Sequence, residues 1–379
     1  KVPIRSINTD TALSVSGLSD GTYRAYGADV AGNFSSPSVG AVIIDRTVAM
    51  VVSAAISGAS GSRSGLLSIG DIVTASVTMS KPVTVTGSPI LTLKIGDSLV
   101  DATFASSSAS VLNFVYTIHA GQNDANGISI PSNALGLGAA TNIVDLLNNN
   151  ANLSLTAVTD NPSYMVDTTP PALLNLVLLS DTGSNGSDGI TNKASILVRN
   201  LESGASWQYQ VDATVAGSWV TGVGSSFTAT SGAHTYFVRQ TDAAGNAGET
   251  NVGVPYTLDT TVATPTLVLL VDTGDSASDS LTNNPTILVS ILESLATWEY
   301  KTDNGTWHAG SSSFLNAING NHSYVVRQTD LAGNVSAESA RIIINYDNTP
   351  PTPPHYSLGM NENTAFVQTL SIVGAELPP

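Results

Sequence analysis

"SDTGSNGSDGITNKASILVRNLESGASWQYQVD" runs from Ser180 to Asp212, and "VDTGDSASDSLTNNPTILVSILESLATWEYKTD" runs from Val271 to Asp303. The two align without a gap at an offset of 91, which carries Trp207 onto Trp298. After a three-residue deletion the offset becomes 88, pairing Trp219 with Trp307 and Asp242 with Asp330. Self-similarity at a fixed long period marks a tandem array, here of modules of about ninety residues. Inside each copy the period is two. "TILVSILES", "TWEYKTD" and "HSYVVRQTD" alternate or carry β-branched and aromatic runs, bounded by Gly, Asn, Asp and Ser. Such runs read as strands, and several short strands per module make a β-sandwich. Helical periodicity is confined to a weak stretch near "SNALGLGAATNIVDLL" (132–147). The four tryptophans Trp207, Trp219, Trp298 and Trp307 fall in strand runs and are expected to pack in or beside the cores.

The borders of the modules recur as well. "IDRT" holds Asp45, "VDTTPP" Asp167, "LDTT" Asp259 and "YDNTPP" Asp347, each behind a strand-like run such as "GAVIID". Pro170–Pro171 and Pro350–Pro351 stiffen two of these joints, because a residue before proline is held extended. The expected organisation is the C-terminal half of a module over 1–46, a larger module over 47–168, and modules over 169–259 and 260–347. Residues 348–379 open a further one.

The chain has 379 residues, 13 Lys plus Arg against 29 Asp plus Glu, and a formal charge of −16. Nucleic acids and anionic membranes are bound by basic patches, so neither is an expected partner. There is no cysteine, which excludes disulfides, thiolate metal sites and a cysteine nucleophile. No apolar run is long enough to span a bilayer. "KVPIRSINTD" lacks the apolar core of a signal peptide, and the sequence reads as a window cut from something longer.

Taken together, "DTTPP" joints, "SDTG…DGITN" openings, "GASWQYQVD" centres and "VRQTDAAGN" endings resemble the bacterial immunoglobulin-like repeats of giant surface adhesins. The 47–168 module, with "GDIVTASVTMSKPVTVTGSPILTLKIG", resembles a longer variant found in the same proteins. The resemblance implies an all-β fold of tandem immunoglobulin-like β-sandwiches arranged end to end. It further implies a non-catalytic stalk, rigidified by calcium, in an extracellular bacterial adhesin of the kind that serves cell adhesion and biofilms and leaves by type I secretion. Absence of cysteine fits passage through a narrow secretion channel. The implied partners are neighbouring repeats of the same chain and a host or surface ligand bound elsewhere in the parent protein. In the tail, "LGMNENTAFVQTLSIVGAE" resembles the first strands of a cadherin-type repeat, and Glu362 would be its calcium ligand.

A pentapeptide raises the question of what the joints do. "TDAAGNAGE" (241–249) returns as "TDLAGNVSA" (329–337) and "ADVAGNFSS" (28–36). One reading is turn chemistry alone, since Asp and Asn cap their own backbone and Gly supplies positive φ. The other adds a metal. In an up-and-down sandwich the first loop and the C-terminus share one pole, and the last loop of the next module hangs over it. Three acidic segments then converge, and calcium takes six to eight oxygens of that kind. The joint at Asp259 would use Asp181, Asp188, Asp259 and Asp330, and the one before it Asp71, Asp167 and Asp242. The one after it would use Asp272, Asp279 and Asp347, and Asp45 and Asp145 are the candidates at the first border. The larger module departs at its last loop, "VDLLNNNA", which leaves the role of Asp145 and Asn149 open. Asp212, at a strand end, is expected to lie away from the poles.

A stalk has two rivals. An enzyme would need a constellation, and His119, His234, His308, His322 and His355 are scattered with no Asp or Glu at metal or triad spacing. A glycan- or protein-binding module would centre on 47–168, where Phe114 and Tyr116 share a strand, but core packing explains one or both.

Overall fold

Alternation is what builds the sheets. In Ser195–Arg199, Ile196 and Val198 point inward and are buried while their neighbours are not. Thr286–Ser290 repeats this with Ile287 and Val289. The computed structural model describes residues 12–138, 140–212 and 218–353.

Residues 169–259 form two facing sheets. One has three strands, in the order Asn175–Leu178, Ser195–Arg199, Ser226–Thr228. The other has five, in the order Ile190–Thr191, Val254–Leu258, Gly232–Thr241, Ser206–Val211, Val220–Thr221. Residues 260–347 repeat the same order strand for strand, from Thr266–Leu269 to Ile342–Tyr346. The short first strand of each five-stranded sheet runs parallel to its neighbour, as in Ile190–Thr191 against Thr257 and Leu258.

Three further features make these sandwiches immunoglobulin-like. Trp207, 4 % exposed, lies on Ser206–Val211, an inner strand of the larger sheet, and fills the core, as Trp298 does in the next module. Its indole N–H donates to the Gly224 carbonyl at 2.8 Å, so its polar atom is satisfied. The hydroxyl of buried Tyr236 accepts from the Thr230 amide six residues upstream at 2.9 Å, and Tyr324 does the same with Ile318. This is the corner that ties the turn before this strand to its own first residues. Val238, two residues after Tyr236 and fully buried, stands where an antibody domain carries a disulfide cysteine. Packing replaces the cross-link.

The 47–168 region carries a six-stranded sheet, in the order Leu135–Gly136, Ile90–Ile95, Ser98–Ser108, Val111–Thr117, Ile72–Met79, Val51–Ser60. Phe114 is fully buried in its core and Tyr116 packs partly buried against it. The weak helical signal over 132–147 is overturned. Leu135–Gly136 and Asn142–Asp145 are strands, because Leu135 and Ile143 can each reach the core only from an extended segment on either side of the glycines. Among the described residues the helical content is one 3-10 turn, Pro162–Tyr164. In 12–46, Gly21–Tyr23 pairs antiparallel with Val42–Ile44.

By packing, the chain divides into two compact units. Among the described residues the first holds 12–138, 140–172, 202–206 and 240–249, and the second 173–201, 207–212, 218–239 and 250–353. The boundary passes through the 169–259 sandwich, whose segments 202–206 and 240–249 fall in the first unit.

Candidate functional site: the borders between sandwiches

Each border is an Asx turn. The carboxylate of Asp45 accepts the Thr47 amide at 2.9 Å, Asp167 that of Thr169 at 3.0 Å, Asp259 that of Thr261 at 3.0 Å and Asp347 that of Thr349 at 2.8 Å. The shared Asp-x-Thr spelling thus encodes one local bond. It bends the chain as it leaves a sandwich and leaves the aspartate's own carbonyl free.

That carbonyl is taken by the pentapeptide loop. Within 240–249, Asp242 accepts the amides of Gly245 at 2.7 Å and Asn246 at 2.8 Å, and its second oxygen accepts the Asn246 side-chain amide at 2.8 Å. So oriented, Asn246 Nδ2 donates its other proton to the Asp167 carbonyl at 2.9 Å. Asp330 and Asn334 repeat the arrangement, and Asn334 Nδ2 donates to the Asp259 carbonyl at 2.8 Å. In "VDLLNNNA", Asp145 and Asn149 make the same bonds, and Asn149 Nδ2 donates to the Asp45 carbonyl at 2.9 Å. The departing loop is therefore the same device. What recurs is Asp and Asn four apart; Ala-Gly is dispensable. The Asn149 amide is also the main reason the Asp145 carboxyl lies below its ordinary pKa.

Around this common bond the three borders differ. At Asp45, Lys81 Nζ stands 2.8 Å from Asp45 Oδ2 and 3.7 Å from Asp145 Oδ2. Its hydrogen bond, with those from Thr47, brings the Asp45 carboxyl down to about 2. At Asp167, Arg63 Nη1 donates to the Ala244 carbonyl at 2.8 Å, and the guanidinium lies so close over Gly245 that a Cβ there would overlap it. At Asp259 the equivalent carbonyl, of Ala332, accepts from the Thr182 hydroxyl at 2.6 Å. There Gly183 and Gly333 meet backbone to backbone, and a Cβ on Gly183 would overlap the Leu331 carbonyl oxygen.

A second clamp was not read from the sequence. Glu202 accepts the Ala172 amide at 2.9 Å, Gln240 accepts the Glu202 amide at 3.1 Å, and Gln240 Nε2 donates to the Ala172 carbonyl at 2.7 Å. Glu293, Gln328 and Ala263 repeat it one module on. The signal was present as the paired "LES" and "VRQT" spellings. A glutamine that is 0 % exposed at 328 is where an amide side chain must find partners.

The carboxylates proposed as metal ligands have mostly local partners. Asp71 accepts the Ser68 amide, Asp188 that of Ile190 and Asp279 that of Leu281. Among the described residues no three Asp, Glu or His side chains form a group able to hold a metal ion by themselves. Each ligand candidate is tied instead to the backbone of its own turn. Asp181 and Asp272 stand apart. Each accepts one amide, from Gly189 at 3.0 Å and Ser280 at 2.9 Å, while its Oδ1 is buried without a hydrogen-bond partner. Glu362 and His355 lie outside the described residues.

Two histidines do find acids. His234 Nδ1 lies 2.8 Å from Asp212 Oδ2 and His322 Nδ1 2.8 Å from Asp303 Oδ2. Their Nε2 atoms face the Ser231 and Asn319 carbonyls at 3.0 and 3.3 Å. With both ring nitrogens engaged, neither ring is presented to a nucleophile as a base. Asp212 is not remote from the poles. Its amide donates to the Thr235 carbonyl on the strand whose first residue, Gly232, pairs with Leu258 beside the border Asp259. Trp219 and Trp307 are half-buried, stacked under Arg239 and Arg327 at 4.2 Å.

No family model and no curated protein matches the chain. Among solved structures, a tetra-tandem repeat from the extending region of a large adhesion protein is 16 % identical, over 89 % of this chain and 85 % of that one, with a TM-score of 0.31. An I-band fragment of titin is 8 % identical over 79 % of this chain and 98 % of that one, at 0.30. Fibronectin(III)-like modules of Clostridium thermocellum CbhA are 15 % identical over 46 % and 94 %, at 0.25.

Proposed function

We propose that the chain is a non-catalytic extender segment of a large bacterial surface adhesin, holding a distal binding region away from the cell and stiffened by calcium. The observation that carries this reading is the recurrence of one bond, Asn to the border carbonyl, at Asp45, Asp167 and Asp259. Here the repeated chemistry is spent on the borders. Extracellular placement goes with this reading; no helix among the described residues is long and apolar enough to cross a membrane.

Calcium is supported by Asp181 and Asp272. A buried carboxylate oxygen without a partner is costly, and a cation removes the cost. Both atoms belong to equivalent loops, "DTGSNGSDG" and "DTGDSASDS", which are rich in backbone and side-chain oxygens. With this carboxylate in each loop, carbonyls and water would complete the shell that Ca²⁺ requires. Bound there, the ion would neutralise a buried anion and order the loop beside the border. Calorimetric titration of the full chain with calcium tests this directly. Asp181→Asn and Asp272→Asn, which keep an acceptor for Gly189 and Ser280, should each remove a binding event. Unchanged stoichiometry in both variants would count against calcium at these loops.

A further inference from the structure

We propose that Lys81 is the resident cation of the border at Asp45, so that this joint holds its alignment without a divalent ion. Lys81 lies in the turn between Ile72–Met79 and Val83–Thr86. Its ammonium has three donors and uses them on Asp45 Oδ2 at 2.8 Å, the Thr47 carbonyl at 2.7 Å and the Thr47 hydroxyl at 2.8 Å. It is also 3.7 Å from Asp145 Oδ2, on a side chain only 2 % exposed. One positive charge therefore sits between the carboxylate that ends 12–46 and the one that orients Asn149 in 47–168. Two carboxylates so placed repel unless a cation stands between them. The side chain supplies that cation at fixed stoichiometry, where a chelator cannot remove it.

The other borders lack it. Among the described residues no ion pair reaches Asp167, Asp242, Asp259 or Asp330. At Asp167 the nearby cation, Arg63, spends its bond on a carbonyl, and at Asp259 that bond comes from the neutral Thr182 hydroxyl. The joints thus form a series from self-neutralised to uncompensated, and a chelator should act on them unequally. The role of Lys81 rests on its own contacts; only the contrast with Asp259 rests on the calcium reading.

The absence of cysteine allows clean spin labelling of the full chain. Cysteines at exposed Ser36 and Ser107 report the joint at Asp45, and cysteines at exposed Ser226 and Ser311 the joint at Asp259. The wild-type distance distribution between 36 and 107 is expected to be equally narrow in calcium and in EDTA. Lys81→Gln should lose the narrow component in EDTA and Lys81→Arg should retain it. Asp45→Asn, which leaves the 47–168 core untouched, should lose it as Lys81→Gln does. Broadening of the wild-type 36–107 distribution by EDTA overturns the proposal, and so does a distribution that stays narrow in both Lys81→Gln and Asp45→Asn. The 226–311 pair answers separately whether calcium stiffens any joint, so failure there leaves the Lys81 result standing.

Discussion

Asn334 donates its side-chain amide to the backbone carbonyl of Asp259, 75 positions earlier, at 2.8 Å, while Asp330 holds the same amide from the other side at 2.7 Å. The aspartate is the positioning group and the asparagine is the hand that reaches across. Asn246 and Asn149 do the same at the two earlier borders. A turn and a joint are here one structure.

Asn334→Ala should therefore loosen the border without unfolding either sandwich. A hydrogen bond of this kind is worth about 0.5–1.5 kcal/mol. Amide exchange over Asp330 to Ser336 should rise by up to about tenfold. Asn334→Asp should be worse, because it sets a second carboxylate against Asp330 and the Asp259 carbonyl. Equal exchange in all three proteins would show that the bond carries no load.

Gly183 and Gly274 occupy the same position in successive modules, both with strongly positive φ, +98° and +100°. Among the described residues Gly274→Ala meets nothing nearer than the Leu281 carbonyl oxygen at 3.9 Å and should cost only the left-handed backbone penalty, about 1–2 kcal/mol. Gly183→Ala adds an overlap with the Leu331 carbonyl oxygen and must push the Asp259 border apart. Exchange at the Asn334 amide separates them: Gly183→Ala should raise it and Gly274→Ala should not. Indistinguishable effects would contradict the close approach.

His234 supplies a pH dependence. Its pKa is raised, first by the bond to Asp212 and then by the Ser231 carbonyl. A raised group contributes fully below its ordinary value of about 6.5, and the contribution fades as pH rises through the folded value. Asp212 is lowered, first by the Thr235 amide and then by His234. Its contribution is present above about 3.9 and is lost as pH falls through the lowered value. The clasp is thus strongest from about pH 4 to 6.5. In scanning calorimetry, the melting temperature gap between wild type and His234→Gln should shrink from pH 6 to pH 9. A gap that is constant over that range contradicts the clasp.

Much of this architecture is legible before any coordinates, for a physical reason. Tandem copies print their period in the chain, and a two-sheet sandwich prints alternation in every strand, as at Ile196 and Val198. The border aspartates and the pentapeptide are also visible as spellings. Their partners are not. That Asn246 reaches a carbonyl 79 positions away depends on how the poles of successive sandwiches meet, and a carbonyl has no spelling. Acidic residues are visible in a sequence and point to a cation; the asparagine amide and the carbonyl it reaches are not. The Asp–His pairs escaped because Asp212 and His234 join across neighbouring strands, where sequence spacing has no fixed meaning. The role of Asp145 and Asn149 is hidden in the sequence because Ala-Gly is missing between them, while the bonds depend only on Asp and Asn.

The central claim is that calcium-stiffened borders make this chain an extender. Solution scattering from the full chain, in millimolar calcium and then in excess EDTA, tests it most directly. A compact 379-residue globule would have a radius of gyration of about 21 Å. The expected result is a value well above that in calcium, with a maximum dimension that shortens and a pair-distance profile that broadens when calcium is removed. A radius near that of the compact globule, or profiles that superpose in calcium and EDTA, would contradict the account.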